Sequence, residues 1–309
     1  TGAAVKAVDG VSFALQEGCT LGVVGESGCG KSTLARTVLR LVSVTGGEVL
    51  WQGRDIRGFD DRAMYELRRD VRMVFQDPLA SLNPRMTVGE LVREPLDLFA
   101  PELDECAKRD AVATMFERVG LRADLVGRYP HEFSGGQCQR VNIARALIGR
   151  PKLLICDESV SALDVSIRAQ ILNLLIDLQA ETGVACLFIS HDLSVIRQVS
   201  ERVLVLYLGK MMECREADAL FAAPAHPYTT VLLSAAPVPD PLVERVRSRT
   251  TLGGDLPSPI DPPSGCVFRT RCPEAGPRCA IVEPIRKPVK GGEVACHVRP
   301  SVQNNEERP

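Results

Sequence analysis

The sequence predicts an α/β protein with a mainly parallel sheet, a helical insertion and a small proline-rich, four-cysteine extension at its C-terminal side. Three observations carry that prediction. Short apolar runs alternate with helical periodicity up to about residue 84 and again from Lys152, and strands alternating with helices build parallel sheets. Between them, residues 85–150 are helical in pattern, with Pro95, Pro101 and Pro130 as punctuation. Beyond about residue 236 periodicity stops, and most of the 21 prolines follow. Such a segment buries little apolar surface unaided, so it is disordered, laid on the main domain, or held by a staple.

Taken in order, alternating apolar residues over 5–13 suggest a first strand, and a chain that is an excerpt of a longer one. Residues 20–24 read as a buried strand that enters a glycine-rich turn. A helix starts at Ser32 with Leu34, Val38, Leu41 and Val42 on one face. Strands are expected at 47–51 and 71–75. After the insertion come a strand at 153–157 and a helix at 165–181, whose Ile167, Ile171, Leu174, Leu175 and Leu178 face the core. Residues 184–190 and 203–208 are further strands. The expected organisation is an α/β core of residues 1–84 and 151–215, a helical subdomain of 85–150 and an extension of 216–309.

The 309 residues are 45% hydrophobic and 25% charged, an ordinary globular composition. A formal charge of −2 gives no electrostatic reason for a nucleic-acid partner. No apolar run approaches the roughly 20 residues that span a bilayer. Any membrane association must then be peripheral, through a partner.

Gly25-Glu-Ser-Gly-Cys-Gly-Lys31-Ser32 fits the phosphate-binding pattern G-x-x-x-x-G-K-[ST] between a strand and a helix. The glycines let backbone N–H groups turn toward phosphate oxygens, and the helix offers its positive end. Gly25, Glu26, Ser27, Gly28, Cys29, Gly30, Lys31, Ser32 and Thr33 are therefore the candidate nucleotide contacts. Lys31 would reach the β- and γ-phosphates and Ser32 would ligate Mg²⁺. Cys29 sits where a helix N-terminus can lower a thiol pKa, although a small filler is the simpler reading. Asp157 and Glu158 end an apolar strand, where ligands of parallel sheets gather. Asp157 would hold Mg²⁺ through water, and Glu158 would polarise the attacking water.

Between these motifs lies Ser134-Gly135-Gly136-Gln137 at the start of a helix. With Gln76 after a strand, Ser161-Ala-Leu-Asp164, and His191 after another strand, the chain resembles the ABC ATPases over residues 5–215. The resemblance implies that Gln76 couples water and Mg²⁺ to a membrane partner and that His191 contacts the γ-phosphate. It implies that Ser134, Gly135, Gly136, Gln137 and Asp164 serve ATP held by a second subunit, head to tail. Ser159 and Cys138 depart from the family pattern, which has proline and a polar residue there. No aromatic residue precedes Phe13 to stack on adenine.

Longer strings tighten the resemblance. Gln76-Asp-Pro-Leu-Ala-Ser-Leu-Asn-Pro-Arg-Met86, Tyr129-Pro-His-Glu-Phe-Ser-Gly-Gly136 and Ala225-His-Pro-Tyr-Thr229 are similar to oligopeptide and dipeptide importer ATPases. The implied function is ATP hydrolysis that powers peptide import from the cytoplasmic face of the membrane. The implied partners are a second ATPase subunit or tandem half, two transmembrane permeases and, indirectly, an extracytoplasmic solute-binding protein, with no nucleic acid. The rival readings are a soluble ABC ATPase of translation or DNA repair, and a redox-regulated ATPase module.

Of the 11 cysteines, Cys266, Cys272, Cys279 and Cys296 crowd into the extension. Structural zinc sites usually contain a close C-x2-4-C pair, which is missing, and the wide spacing suits an iron–sulfur cluster better. The resemblance implies a [4Fe–4S] cluster. Zinc, a disulfide or unligated thiols remain the alternatives.

Overall fold

The computed structural model describes residues 5–161, 163–235 and 256–299. Along the chain run β1 (Thr20–Val24), α1 (Lys31–Val38), β2 (Leu50–Trp51), β3 (Arg54–Asp55), α2 (Asp61–Asp70) and β4 (Val71–Val74). Then come α3 (Val88–Phe99), α4 (Glu105–Arg118), α5 (Gly135–Leu147), β5 (Leu153–Asp157), α6 (Val165–Thr182), β6 (Ala185–Ile189) and α7 (Leu193–Val199). The chain continues through β7 (Arg202–Tyr207), β8 (Lys210–Glu216), α8 (Ala217–Ala222), α9 (Pro227–Ala235), α10 (Pro277–Ile281), β9 (Lys287–Val289) and β10 (Gly292–Val294). Two compact units result: one from residues up to 14, 21–34 and 190 onward, the other from 15–20 and 35–189.

In the first unit β1 is buried along its whole length and pairs in parallel with β7, Leu21 opposite Arg202 and Val24 opposite Val205. A strand covered on both faces reads as an unbroken apolar run, which is why residues 20–24 show no alternation. β7 turns back into β8 through Leu208 and Gly209, both at positive φ, the conformation a tight hairpin needs. β10 then adds to β8, with Gly292 opposite Arg215 and Val294 opposite Glu213, and β9 adds to β10. These antiparallel additions make the strand pairing mixed. They also bear on the fate of the extension. Main-chain pairing, with Phe268 and Val294 fully buried, lays its described part on the first unit; residues 236–255 lie outside the described residues.

The second unit carries β4, β5 and β6 in parallel, Val71 opposite Leu153 and Leu153 opposite Ala185. α6 stops at Gly183, whose φ of 68° is the left-handed cap that glycine adopts without penalty. The helical insertion is present as α3, α4 and α5. Three expectations are corrected. Residues 5–13 form no strand; Asp9 N–H donates to Gly209 O, but the carbonyls of Lys6 and Ala7 lie against glycines, not in a ladder. α1 ends at Val38, and Arg40 takes a φ of 53°, so Leu41 and Val42 are exposed instead of continuing the core face. Pro95 does not end a helix. It lies inside α3, where its buried face with Leu91, Val92 and Leu96 offsets the hydrogen bond that proline removes.

Candidate functional site

The turn at 25–30 joins the end of β1 to the start of α1 in the first unit. Gly30 has a φ of 107°, and a Cβ there would lie 2.0 Å from Ala7 O, so no other residue fits. Lys31 is buried, and its Nζ donates to Gly25 O at 2.9 Å and Glu26 O at 3.0 Å. Ser32 and Thr33 are half-buried behind it. Cys29 is buried, and burial pushes its thiol pKa up against the opposing charge of Lys31. The filler reading therefore holds. His191 is exposed, just past Ser190, whose Oγ accepts the Asp192 N–H at 3.0 Å.

Glu26 has partners that the motif alone did not reveal. Its N–H donates to the Tyr228 hydroxyl at 3.0 Å, and its carboxylate pairs with Arg271 Nη1 at 2.7 Å. Arg271 also reaches the Tyr207 hydroxyl at 3.4 Å. Burial alone would lower the Arg271 pKa, but the Glu26 hydrogen bond and charge leave it raised. Tyr207, Tyr228 and Phe268 are fully buried and stack in tilted or edge contacts, with centroids 4.8–5.3 Å apart. The string Ala225–Thr229 was the available signal, and only the fold connects it to the phosphate loop.

In the second unit, parallel pairing sets the ends of β4 and β5 side by side. Gln76 lies two residues past β4; Asp157 is the buried last residue of β5. Gln76 Nε2 donates to Glu158 Oε2 at 3.2 Å. Glu158 has a φ of 48°, a costly conformation for a residue with a side chain. Its N–H donates to Ile189 O at 3.0 Å, and its carbonyl accepts the Ser161 N–H and hydroxyl. Those bonds hold the strained backbone and aim the carboxylate.

Ser134 caps α5: its Oγ accepts the Gln137 N–H at 3.3 Å while Gln137 Oε1 accepts the Ser134 N–H at 2.9 Å. Gly135 faces open space; a Cβ on Gly136 would meet Ile167 Cγ2 of α6 at 2.6 Å. Asp164 is the exposed cap residue of α6, and Ala162 lies outside the described residues. Cys138 is buried and its thiol donates to Pro130 O at 3.5 Å, so this departure is a packed one. The Gln76 loop is fastened to α5. Asn142 Nδ2 donates to Pro78 O, Ser81 Oγ donates to Asn142 Oδ1, both at 3.0 Å, and Arg145 Nη1 donates to Ser81 O at 3.1 Å. That fastening explains a string for which phosphate chemistry gave no reason.

The four extension cysteines are free thiols; Cys266, Cys279 and Cys296 are buried and Cys272 is half-buried. Burial pushes Cys266 up to about 11, and its N–H donates to Cys279 O at 2.8 Å. Among the described residues, however, no three His, Cys, Asp or Glu side chains are arranged to hold a metal ion. The expected [4Fe–4S] or zinc ligand set is therefore not formed among the described residues. The thiols are the right donors, and the pairing of β10 with β8 attaches this segment to the first unit.

Comparison with known proteins agrees with this geometry. Residues 8–161 match the family described as ABC transporter, and residues 212–279 match the oligopeptide/dipeptide transporter C-terminal region. An oligopeptide transport ATP-binding protein, OppF, of Salmonella typhimurium is 58% identical over 281 residues, covering 91% of this chain and 84% of that relative. The Bacillus subtilis protein AppF, described likewise, is 51% identical over 296 residues, covering 95% and 90%. A solved dimeric structure of the ATP-binding cassette MJ0796 with ADP and Pi is 30% identical with a TM-score of 0.63, covering 68% of this chain and 90% of that one. With relatives this similar over nearly its whole length, the chain belongs to the ABC ATPases, in the branch of oligopeptide and dipeptide transporter ATP-binding subunits.

Proposed function

We infer that this chain hydrolyses Mg-ATP to drive peptide import through permease partners. The observation that carries the reading is the Gln76–Glu158 contact at the strand ends, in a chain that also holds a complete phosphate loop. Lys31 binds the β- and γ-phosphates, and main-chain amides of the loop beyond Glu26, residues 27–33, surround them. Ser32, Gln76 and Asp157 are the residues that would hold Mg²⁺, whose charge offsets that of the phosphates. Glu158 takes up the proton of the attacking water, and His191 stands on the γ-phosphate side. Ser134, Gly135, Gly136, Gln137 and Asp164 cover the nucleotide of a second ATPase subunit or tandem half.

Among the described residues no helix is long and apolar enough to cross a membrane, which fits peripheral attachment through permeases, proposed at the cytoplasmic face. Two transmembrane permeases and an extracytoplasmic solute-binding protein complete the proposed assembly. Cys266, Cys272, Cys279 and Cys296 are the donors for a proposed [4Fe–4S] cluster, supported by their free thiols and by the Cys266 N–H bond to Cys279 O. When bound, it would staple the extension. The peptide-transporter relatives do not favour a role in translation or DNA repair.

The test is peptide-stimulated ATP hydrolysis by the reconstituted transporter. Lys31→Ala should abolish it, because the transition-state charge loses its ammonium partner. Full stimulation with Lys31→Ala, or an intact assembly without affinity for Mg-nucleotide, would overturn the reading.

A further inference from the structure

We propose that Tyr228 and Arg271 form a latch on the phosphate loop, and that Arg271 is a positioning residue which screens Glu26 from the nucleotide. The inference rests on the reading of residues 25–33 as the nucleotide loop. Glu26 is an unfavourably charged neighbour for a triphosphate, because its carboxylate repels the phosphates the adjacent amides attract. The latch answers that problem twice. Arg271 Nη1, on a side chain only 9% exposed, pairs with the carboxylate at 2.7 Å, and so removes its charge from the loop's field. The Tyr228 hydroxyl accepts the Glu26 N–H at 3.0 Å, which fixes the backbone at the second residue of the loop.

Both latch residues are set rigidly. Tyr228 lies in α9 and Arg271 follows Phe268, and the rings of Tyr207, Tyr228 and Phe268 pack against each other. Glu213, fully buried, accepts the N–H groups of Ala225 and His226, and His226 Nδ1 accepts the Tyr228 N–H at 3.0 Å. Loop and latch all belong to the first unit. The extension is then part of the nucleotide site's support, in addition to being a neighbour of it.

The experiment measures Mg-ATP affinity by calorimetry, with thermal melting and kcat at saturating ATP recorded alongside. It uses the full chain in its ATPase complex and four forms: unchanged, Arg271→Gln, Glu26→Gln and the double variant. Arg271→Gln strands the Glu26 carboxylate beside the phosphates and should weaken binding about tenfold, with kcat nearly unchanged. Adding Glu26→Gln removes the stranded charge and should restore affinity to within about threefold. A double variant as weak as Arg271→Gln, or an Arg271→Gln form that binds normally, overturns the proposal. If Arg271→Gln does not fold, Tyr228→Phe decides, since it keeps the ring and loses only the acceptor. It should raise hydrogen exchange in the 25–32 segment and weaken binding several-fold; unchanged exchange and affinity overturn the latch. Absence of Mg-ATP binding by the unchanged protein would instead sink the nucleotide reading itself.

Discussion

Glu158 carries three demands at once: a left-handed backbone, a hydrogen bond from Gln76, and a place directly after the buried Asp157. Glu158→Gln keeps the shape and the amide can still meet Gln76, but it cannot take a proton. Single-turnover hydrolysis should fall about 10²–10⁴-fold while ATP affinity is retained; a matching loss of affinity would assign Glu158 to binding. A different residue-scale prediction concerns His226. Burial, aided by the charge of Arg299, pushes its pKa from 6.5 down to about 3. Between those values the unfolded chain binds a proton that the folded ring refuses. Stability is therefore fully present above about pH 7 and falls as pH drops through 6.5, by at most about 1.4 kcal/mol per unit from this group. His226→Asn retains an acceptor for the Tyr228 N–H in the manner of an Asx-turn but does not titrate. Urea midpoints taken from pH 7.5 to 5 should fall less steeply for the variant, and parallel curves would contradict a neutral buried ring.

At the scale of elements, the helix α5 does two jobs, beginning with the Ser134 cap and holding the Gln76 loop from its buried side. Asn142→Ala leaves Pro78 O and Ser81 Oγ without that partner, and should destabilise the chain by about 1–3 kcal/mol. Chemical denaturation measures it; a change within about 0.5 kcal/mol, the usual range of surface substitutions, would show the strap to be incidental. The elements themselves were legible where their signal was local. β1, β5 and the start of α1 follow from apolar runs next to glycine or carboxylates, and the Ser134 cap from its own side chain. What escaped depended on distant partners. β8, β9 and β10 are short, polar or proline-bearing segments that become strands only by pairing with one another and with β7. Arg271 and Glu26 are 245 residues apart, a separation that no window or period detects. Pro95 misled for the opposite reason, since its local signal was overruled by burial in α3.

Across the whole molecule, the candidate nucleotide residues divide between the two units. Residues 25–33 and His191 belong to one, and Gln76, 134–137, Asp157, Glu158 and Asp164 belong to the other. The Ser134 end of α5 is a capped helix terminus of positive polarity, which the proposed function sets against the γ-phosphate of a second subunit. If that terminus serves a second subunit, defects in it and in the phosphate loop must complement each other between chains. A Lys31→Ala chain has lost its own phosphate loop but keeps its signature. A Ser134→Arg chain keeps the loop but presents a bulky cation where a partner's γ-phosphate should dock. Neither alone should hydrolyse ATP, whereas a mixture at concentrations that favour dimers contains pairs with one intact composite site. Random pairing of equal amounts should restore roughly a quarter of the wild-type sites, with activity that disappears on dilution. Recovery is the outcome that a nucleotide site contained within one chain cannot produce, because mixing two dead monomers would leave both dead.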